Sequence, residues 1–136
     1  MVNDKSSLNN NDKIILVSEE NKTVAATMND DYLSSIDKII IENNSINELP
    51  TNALVFTLKI NNNVYNLENN GKLLGSNKKK SMVWDSYNDW QIDINNGYAT
   101  IKNNAGMILY NTSNPRFTTY TSANTQLVLP QIYKLA

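Results

Sequence analysis

The sequence predicts an all-β domain, a β-trefoil of three four-stranded repeats. Three observations carry that prediction. Trp90, Ile92 and Ile94 alternate with Gln91, Asp93 and Asn95, the period-two pattern of a half-buried strand. Asn95-Asn96-Gly97 then offers residues that tolerate positive φ, and Tyr98-Ala99-Thr100-Ile101 leads out in β-favouring residues, so this stretch reads strand, tight turn, strand. An aromatic-x-aliphatic triplet recurs as Phe56-Thr57-Leu58, Trp90-Gln91-Ile92 and Tyr133-Lys134-Leu135, at spacings of roughly 40 residues, the length of one four-stranded unit. The first and last strands of each unit would close a six-stranded barrel, with the middle hairpins capping one end. An irregular barrel or sandwich is the alternative that the same strands allow.

Taken in order, residues 1–11 are polar, aperiodic and Asn-rich and read as a flexible N-terminal arm. Residues 12–136 form one domain, with repeats at about 12–60, 61–94 and 97–136. Lys13–Ser18 is a first strand, Glu19–Lys22 a turn and Thr23–Ala26 the return. Residues 27–38 place Tyr32, Leu33, Ile36 and Ile40 on one helical face, yet the β-rich Ile39-Ile40-Ile41 favours a loop followed by a strand from near Asp37. Ala53–Ile60 is a strand. Asn61–Asn63 turns into Val64–Leu67, and Asn69-Asn70-Gly71 into Lys72–Gly75. Strands at Ser81–Trp84, Met107–Tyr110, Arg116–Thr121 and Gln131–Leu135 complete the set. Overlaying the parts aligns Ile15 and Val17 with Tyr65 and Leu67 and with Ala99 and Ile101.

Composition removes several function classes. The 136 residues are 40% hydrophobic, 18% charged, and carry a net charge of −1, so no global field attracts nucleic acid. Without Cys or His there are no disulfides, no thiol catalysis and no usual zinc chemistry. No apolar run approaches the ~20 residues of a membrane span, and Met1-Val2-Asn3-Asp4 opens no signal peptide. The adjacent acids Glu19-Glu20 and Asp30-Asp31 would point to opposite faces of a strand. Asp85 and Asp89 are the one pair able to face a common substrate, and nothing in their spacing indicates that they do. The expectation is no catalysis, no metal and no cofactor. Lys78-Lys79-Lys80 reads as a solvated loop tip.

Tyr65-x-Leu67, Gly71-Lys72-Leu73-Leu74-Gly75, Leu109-Tyr110-Asn111, Pro115-Arg116-Phe117-x-x-Tyr120-Thr121-Ser122 and Gln131-x-Tyr133-Lys134 resemble an accessory β-domain of surface and secreted proteins from Bacteroidetes-type bacteria. The closing Gln131-Ile132-Tyr133 resembles the Gln-x-Trp signature of ricin-type lectin repeats, with Tyr for Trp and in one repeat only. The resemblance implies an attached binding or adhesion role and an extracellular, cell-surface or virion setting.

Sugars are commonly held by an exposed ring stacked on a pyranose face while amides and carboxylates bond its hydroxyls. Two clusters have that composition: Trp84, Asp85 and Tyr87 in the loop after a strand, and Tyr110, Asn111, Arg116 and Tyr120 in the third unit. In each case core packing of the aromatics is the competing explanation, and Arg116 is expected to pair with a carboxylate, of the protein or of a ligand. The reading is a non-catalytic module that binds a glycan. The alternative is a structural subunit that binds a protein surface, as in surface assembly or virion decoration.

Overall fold

The computed structural model describes residues 1–135. Fifteen strands follow a single 3-10 turn at Lys5–Ser7: β1 (Lys13–Ser18), β2 (Thr23–Asn29), β3 (Tyr32–Ile36), β4 (Ile41–Glu42), β5 (Ser45–Ile46), β6 (Phe56–Asn61), β7 (Val64–Asn69), β8 (Lys72–Gly75), β9 (Val83–Trp84), β10 (Gln91–Asn95), β11 (Tyr98–Asn103), β12 (Gly106–Asn111), β13 (Arg116–Tyr120), β14 (Leu127–Val128) and β15 (Gln131–Lys134).

Asparagine chemistry makes the turns. Asn43-Asn44, Asn62-Asn63, Asn70-Gly71 and Asn96-Gly97 each have positive φ at both positions, the backbone of a two-residue hairpin loop whose twist matches its strands. Six strands then close a barrel. β1 pairs with β6 (Ile14 opposite Phe56), β6 with β7, β10 with β11, and β15 with β1. β7 meets β10 where Tyr65 and Trp90 exchange backbone hydrogen bonds of 3.0 and 2.9 Å. β11 meets the approach to β15 through Ala99 N–H to the Pro130 carbonyl, 2.8 Å. The three junctions Ile14–Phe56, Tyr65–Trp90 and Ala99–Pro130 are pseudo-threefold equivalents, and the fold is a β-trefoil.

Inside the barrel, Leu16 opposes Ile132, Leu67 opposes Leu58 and Ile101 opposes Ile92, all buried. Each such side chain stabilises the fold by about 1.5–3 kcal/mol. The hairpins β2–β3, β8–β9 and β12–β13 form the cap. They join through the Phe117–Leu33 pair, Met82 N–H to the Asp31 carbonyl at 2.7 Å and Lys80 N–H to the Thr119 carbonyl at 2.6 Å. The buried Thr119 hydroxyl lies 2.9 Å from the Ser76 hydroxyl and within 3.1 and 3.3 Å of the Lys78 and Ser81 carbonyls, so it ties the Ser76–Ser81 loop to β13.

Four sequence expectations are corrected. The third strand of unit one is Tyr32–Ile36, paired with β2, and not Ile39–Ile41. Ile39 instead enters a second apolar cluster with Ile15, Val17, Val24 and Tyr133, where residues 37–55 cross the outer face of β1. The inward pair of β1 is therefore Ile14 and Leu16, one residue from the overlay on Ile15 and Val17. In unit three the equivalent of Trp90 is Pro130, so Tyr133 belongs to the outer cluster and not to the barrel's closing aromatic. Finally, residues 1–11 are packed against the barrel: Val2 and Leu8 are buried, and Val2 and Asn11 donate backbone hydrogen bonds to Ile132 and Leu58.

Candidate functional site

The loop from Asp85 to Asp89 is held close by its neighbours. Asp85 (φ +60°) accepts the Leu73 N–H at 2.9 Å through its carboxylate and donates its own N–H to the Leu73 carbonyl at 2.7 Å. The Tyr87 carbonyl accepts from Ser76 N–H (3.2 Å) and from the Asn103 side chain (3.0 Å). Gly75 lies beneath: a Cβ there would come within 1.8 Å of the Ser86 carbonyl oxygen. With its backbone tied down and φ at +48°, Tyr87 projects its ring outward, 69% exposed.

Tyr87 borders a groove of about 270 Å³ lined also by Asn88, Asp89, Asn103, Asn104 and Ala105. Asp89, Asn103 and Asn104 are shared with an adjoining hollow of about 470 Å³ that adds Gln91, Lys102, Val64 and Trp90. Not all of these groups are free. Asn103 is spent on Tyr87 and on Ala105 N–H, and one Asp89 oxygen accepts the Asn66 amide at 2.9 Å. The second Asp89 oxygen and the side chains of Asn104, Gln91 and Lys102 take no hydrogen bond from the described residues. The groove thus offers an aromatic face, a carboxylate oxygen, two amides and an ammonium group.

Of the sequence-predicted residues, Tyr87 alone meets that description. Trp84 is half-buried, packs against the main core and lines a different hollow with Thr27, Asn52, Asn70 and Lys72. Asp85 serves the turn. The second cluster is corrected: Tyr110 and Tyr120 are 3% and 7% exposed, so neither ring face is available for stacking. Both stand on cap strands buried on their two faces. Tyr110 packs on Phe117 with ring centroids 4.9 Å apart, and burial, reinforced by Asp37, pushes its hydroxyl pKa upward. Tyr120 receives the Asn111 amide on its hydroxyl at 3.1 Å. Among the described residues Arg116 pairs with no carboxylate; its guanidinium lies 3.8 Å over the Tyr32 ring, a cation–π contact, and its buried Nε finds no hydrogen-bond partner among them.

Sequence reasoning missed Asn103, Asn104 and Tyr98. Asn103-Asn104-Ala105-Gly106 has the composition of a turn, which hides a binding role. Tyr98 lies in a strand, and its place outward of Ala99 and Ile101 is the signal that could find it. It is 39% exposed, and its hydroxyl donates to Glu20 at 3.0 Å, which raises its pKa. The closing Gln131-Ile132-Tyr133 acts structurally: the Gln131 side chain accepts Glu19 N–H at 2.8 Å, and Tyr133 OH donates to the Glu19 carboxylate at 3.0 Å. Among the described residues no three His, Cys, Asp or Glu are grouped to hold a metal, and no helix is long and apolar enough to cross a membrane.

No protein-family model matches the sequence, and no curated protein does. Among solved structures, the chain is similar to one described as BEL beta-trefoil, apo crystal form 3, with a TM-score of 0.69, 19% identity, and coverage of 98% of this chain and 100% of that one. At that identity the likeness is one of fold, and it agrees with the strand pairing: this chain is a β-trefoil.

Proposed function

We propose that the protein is a non-catalytic module that binds carbohydrate in the groove beside Tyr87. The observation that carries this reading is a tyrosine ring held outward on a fixed backbone beside a free carboxylate oxygen and uncommitted amides. A pyranose stacks its C–H face on such a ring, while Asp89, Asn104 and Gln91 exchange hydrogen bonds with its hydroxyls. Fixing the loop before binding reduces the ordering cost of association. Among the described residues Asp89 is the carboxylate that lines this groove.

The test is a broad glycan array with wild-type protein and Tyr87→Ala, each checked for folding. Binding by the wild type that the folded variant loses supports the reading. Wild-type binding that survives Tyr87→Ala moves the site elsewhere. No glycan binding at all, together with self-association or capture of a defined protein lattice in sedimentation experiments, favours the structural-subunit alternative.

A further inference from the structure

The pseudo-threefold relation that equates Tyr65–Trp90 with Ala99–Pro130 also equates their neighbours. Val64 corresponds to Tyr98, Asp89 to Leu129, and Gln91 to Gln131. The β11–β12 turn, closed by Asn103 opposite Gly106, corresponds to the β1–β2 turn, closed by Ser18 opposite Thr23. The hollow beside Asp89 therefore has a counterpart one unit on. It is present, about 340 Å³, where Tyr98, Glu20, Ser18, Leu129, Asn124 and Gln131 meet.

The counterpart has different chemistry. Leu129 replaces Asp89, and Tyr98 replaces Val64, so the floor is apolar and one aromatic face is exposed. Among the described residues no lysine or arginine lines it, whereas Lys102 lines the first hollow. Among the described residues its one charged lining group is Glu20, anchored by the Tyr98 hydroxyl through one oxygen, while the other oxygen takes no hydrogen bond from them. Glu19, locked behind it by Gln131 and Tyr133, lies in the same turn, where Lys22 and the nearby Met1 ammonium group offset its charge, so Glu20 is the carboxylate that faces the hollow. A carboxylate beside an exposed ring, with no competing cation among the lining residues, suits a protonated amine. Gln131 is buried and its Oε1 is committed to Glu19 N–H. Asn124 uses its carbonyl oxygen on Gln126 and Leu127 N–H, leaving its amide NH₂ to donate to a hydroxyl.

From this constellation we propose a second ligand site, at Tyr98 and Glu20, that takes a hexosamine with a free, protonated amine. The sugar's C–H face lies on the Tyr98 ring and the apolar floor, and its ammonium group pairs with Glu20. Acetylation of the amine removes the charge and with it the preference.

The experiment uses the full chain, isotopically labelled, titrated at low salt with glucosamine, N-acetylglucosamine and glucose in turn. Glucosamine is expected to shift the backbone amide signals of Ser18, Glu20, Tyr98 and Asn124, with an affinity about tenfold above the two neutral sugars. The exposed Glu20→Gln substitution keeps the fold and abolishes the preference, and raising the salt weakens it. The proposal is overturned if those amides do not respond to glucosamine, if the three sugars bind there equally, or if Glu20→Gln leaves the preference intact. The same spectra read the Tyr87 groove separately, so failure of that site and failure of this one are told apart.

Discussion

Two glycines on one hairpin strand pair separate backbone conformation from backbone approach, and substituting each by alanine tests how the Tyr87 loop is seated. Gly71 has φ +77° with open space around it, so Gly71→Ala carries only the left-handed penalty, about 1–2 kcal/mol. Gly75 has no positive φ, but an added Cβ would lie 1.8 Å from the Ser86 carbonyl oxygen and 2.8 Å from that of Tyr87. Real Cβ atoms essentially never come within 3.0 Å, so the loop must retreat by more than an ångström. Overpacking of this kind costs about 1–3 kcal/mol, and the Ser76–Tyr87 backbone bond that is then lost adds about 1 kcal/mol. The expected total for Gly75→Ala is about 3 kcal/mol, or a fall of roughly 10 °C in Tm for a domain of this size. Urea denaturation followed by tryptophan fluorescence measures both variants, and hydrogen exchange at Ser76 reports the loop directly. If Gly75→Ala costs no more than Gly71→Ala and Ser76 stays protected, close seating of the loop is not what Gly75 provides.

Three further outcomes follow from the packing. Trp90→Phe removes the indole donor that bonds the Leu74 carbonyl at 2.8 Å in the core; a loss of about 1–3 kcal/mol is expected in the same denaturation assay. Thr119→Val keeps the shape and deletes the hydroxyl shared by Ser76, Lys78 and Ser81, so about 1–3 kcal/mol and the protection of the Lys80 amide should be lost together. Tyr133 is shifted by burial and then by its bond to Glu19, both of which raise its pKa far above the phenol range. Its neutral form is thus favoured in the folded state. The stability it contributes is whole below the unfolded tyrosine pKa of about 10 and declines as pH rises beyond it. Stability measured between pH 9 and 12 should fall, and Tyr133→Phe should flatten that fall.

The hairpins were legible because two-residue turns need positive φ, and Asn-Asn and Asn-Gly announce it locally. The trefoil was legible from the repetition of inward pairs in the second and third units, Tyr65 and Leu67 with Ala99 and Ile101, while the first unit's overlay lay one residue off because β1 is apolar on both faces. What failed was anything set by long-range cover. Ile39-Ile40-Ile41 is as β-prone as a real strand, and only the outer face of β1 decides that Ile39 is buried while Ile40 is 67% exposed. Tyr110 and Tyr120 look like Tyr87 in sequence. Their burial comes from cap hairpins enclosed on two sides, which no local pattern records. Tyr98 and Asn104 reach their grooves only when strands from different units meet.

The doubly covered β1 has a consequence for alignment of the strands. In a half-buried strand, slipping by one residue turns the apolar set toward water, and that penalty fixes the register. Ile14-Ile15-Leu16-Val17 is apolar on both faces, so a slip would exchange one buried aliphatic side chain for another. The safeguard lies at the ends. Lys13 bonds the Thr57 hydroxyl, and the buried Ser18 hydroxyl receives the Asn21 amide at 2.8 Å; a one-residue shift would break the first and push a lysine or a serine into an aliphatic slot. Two polar bookends, and not hydrophobic alternation, hold the central strand in step.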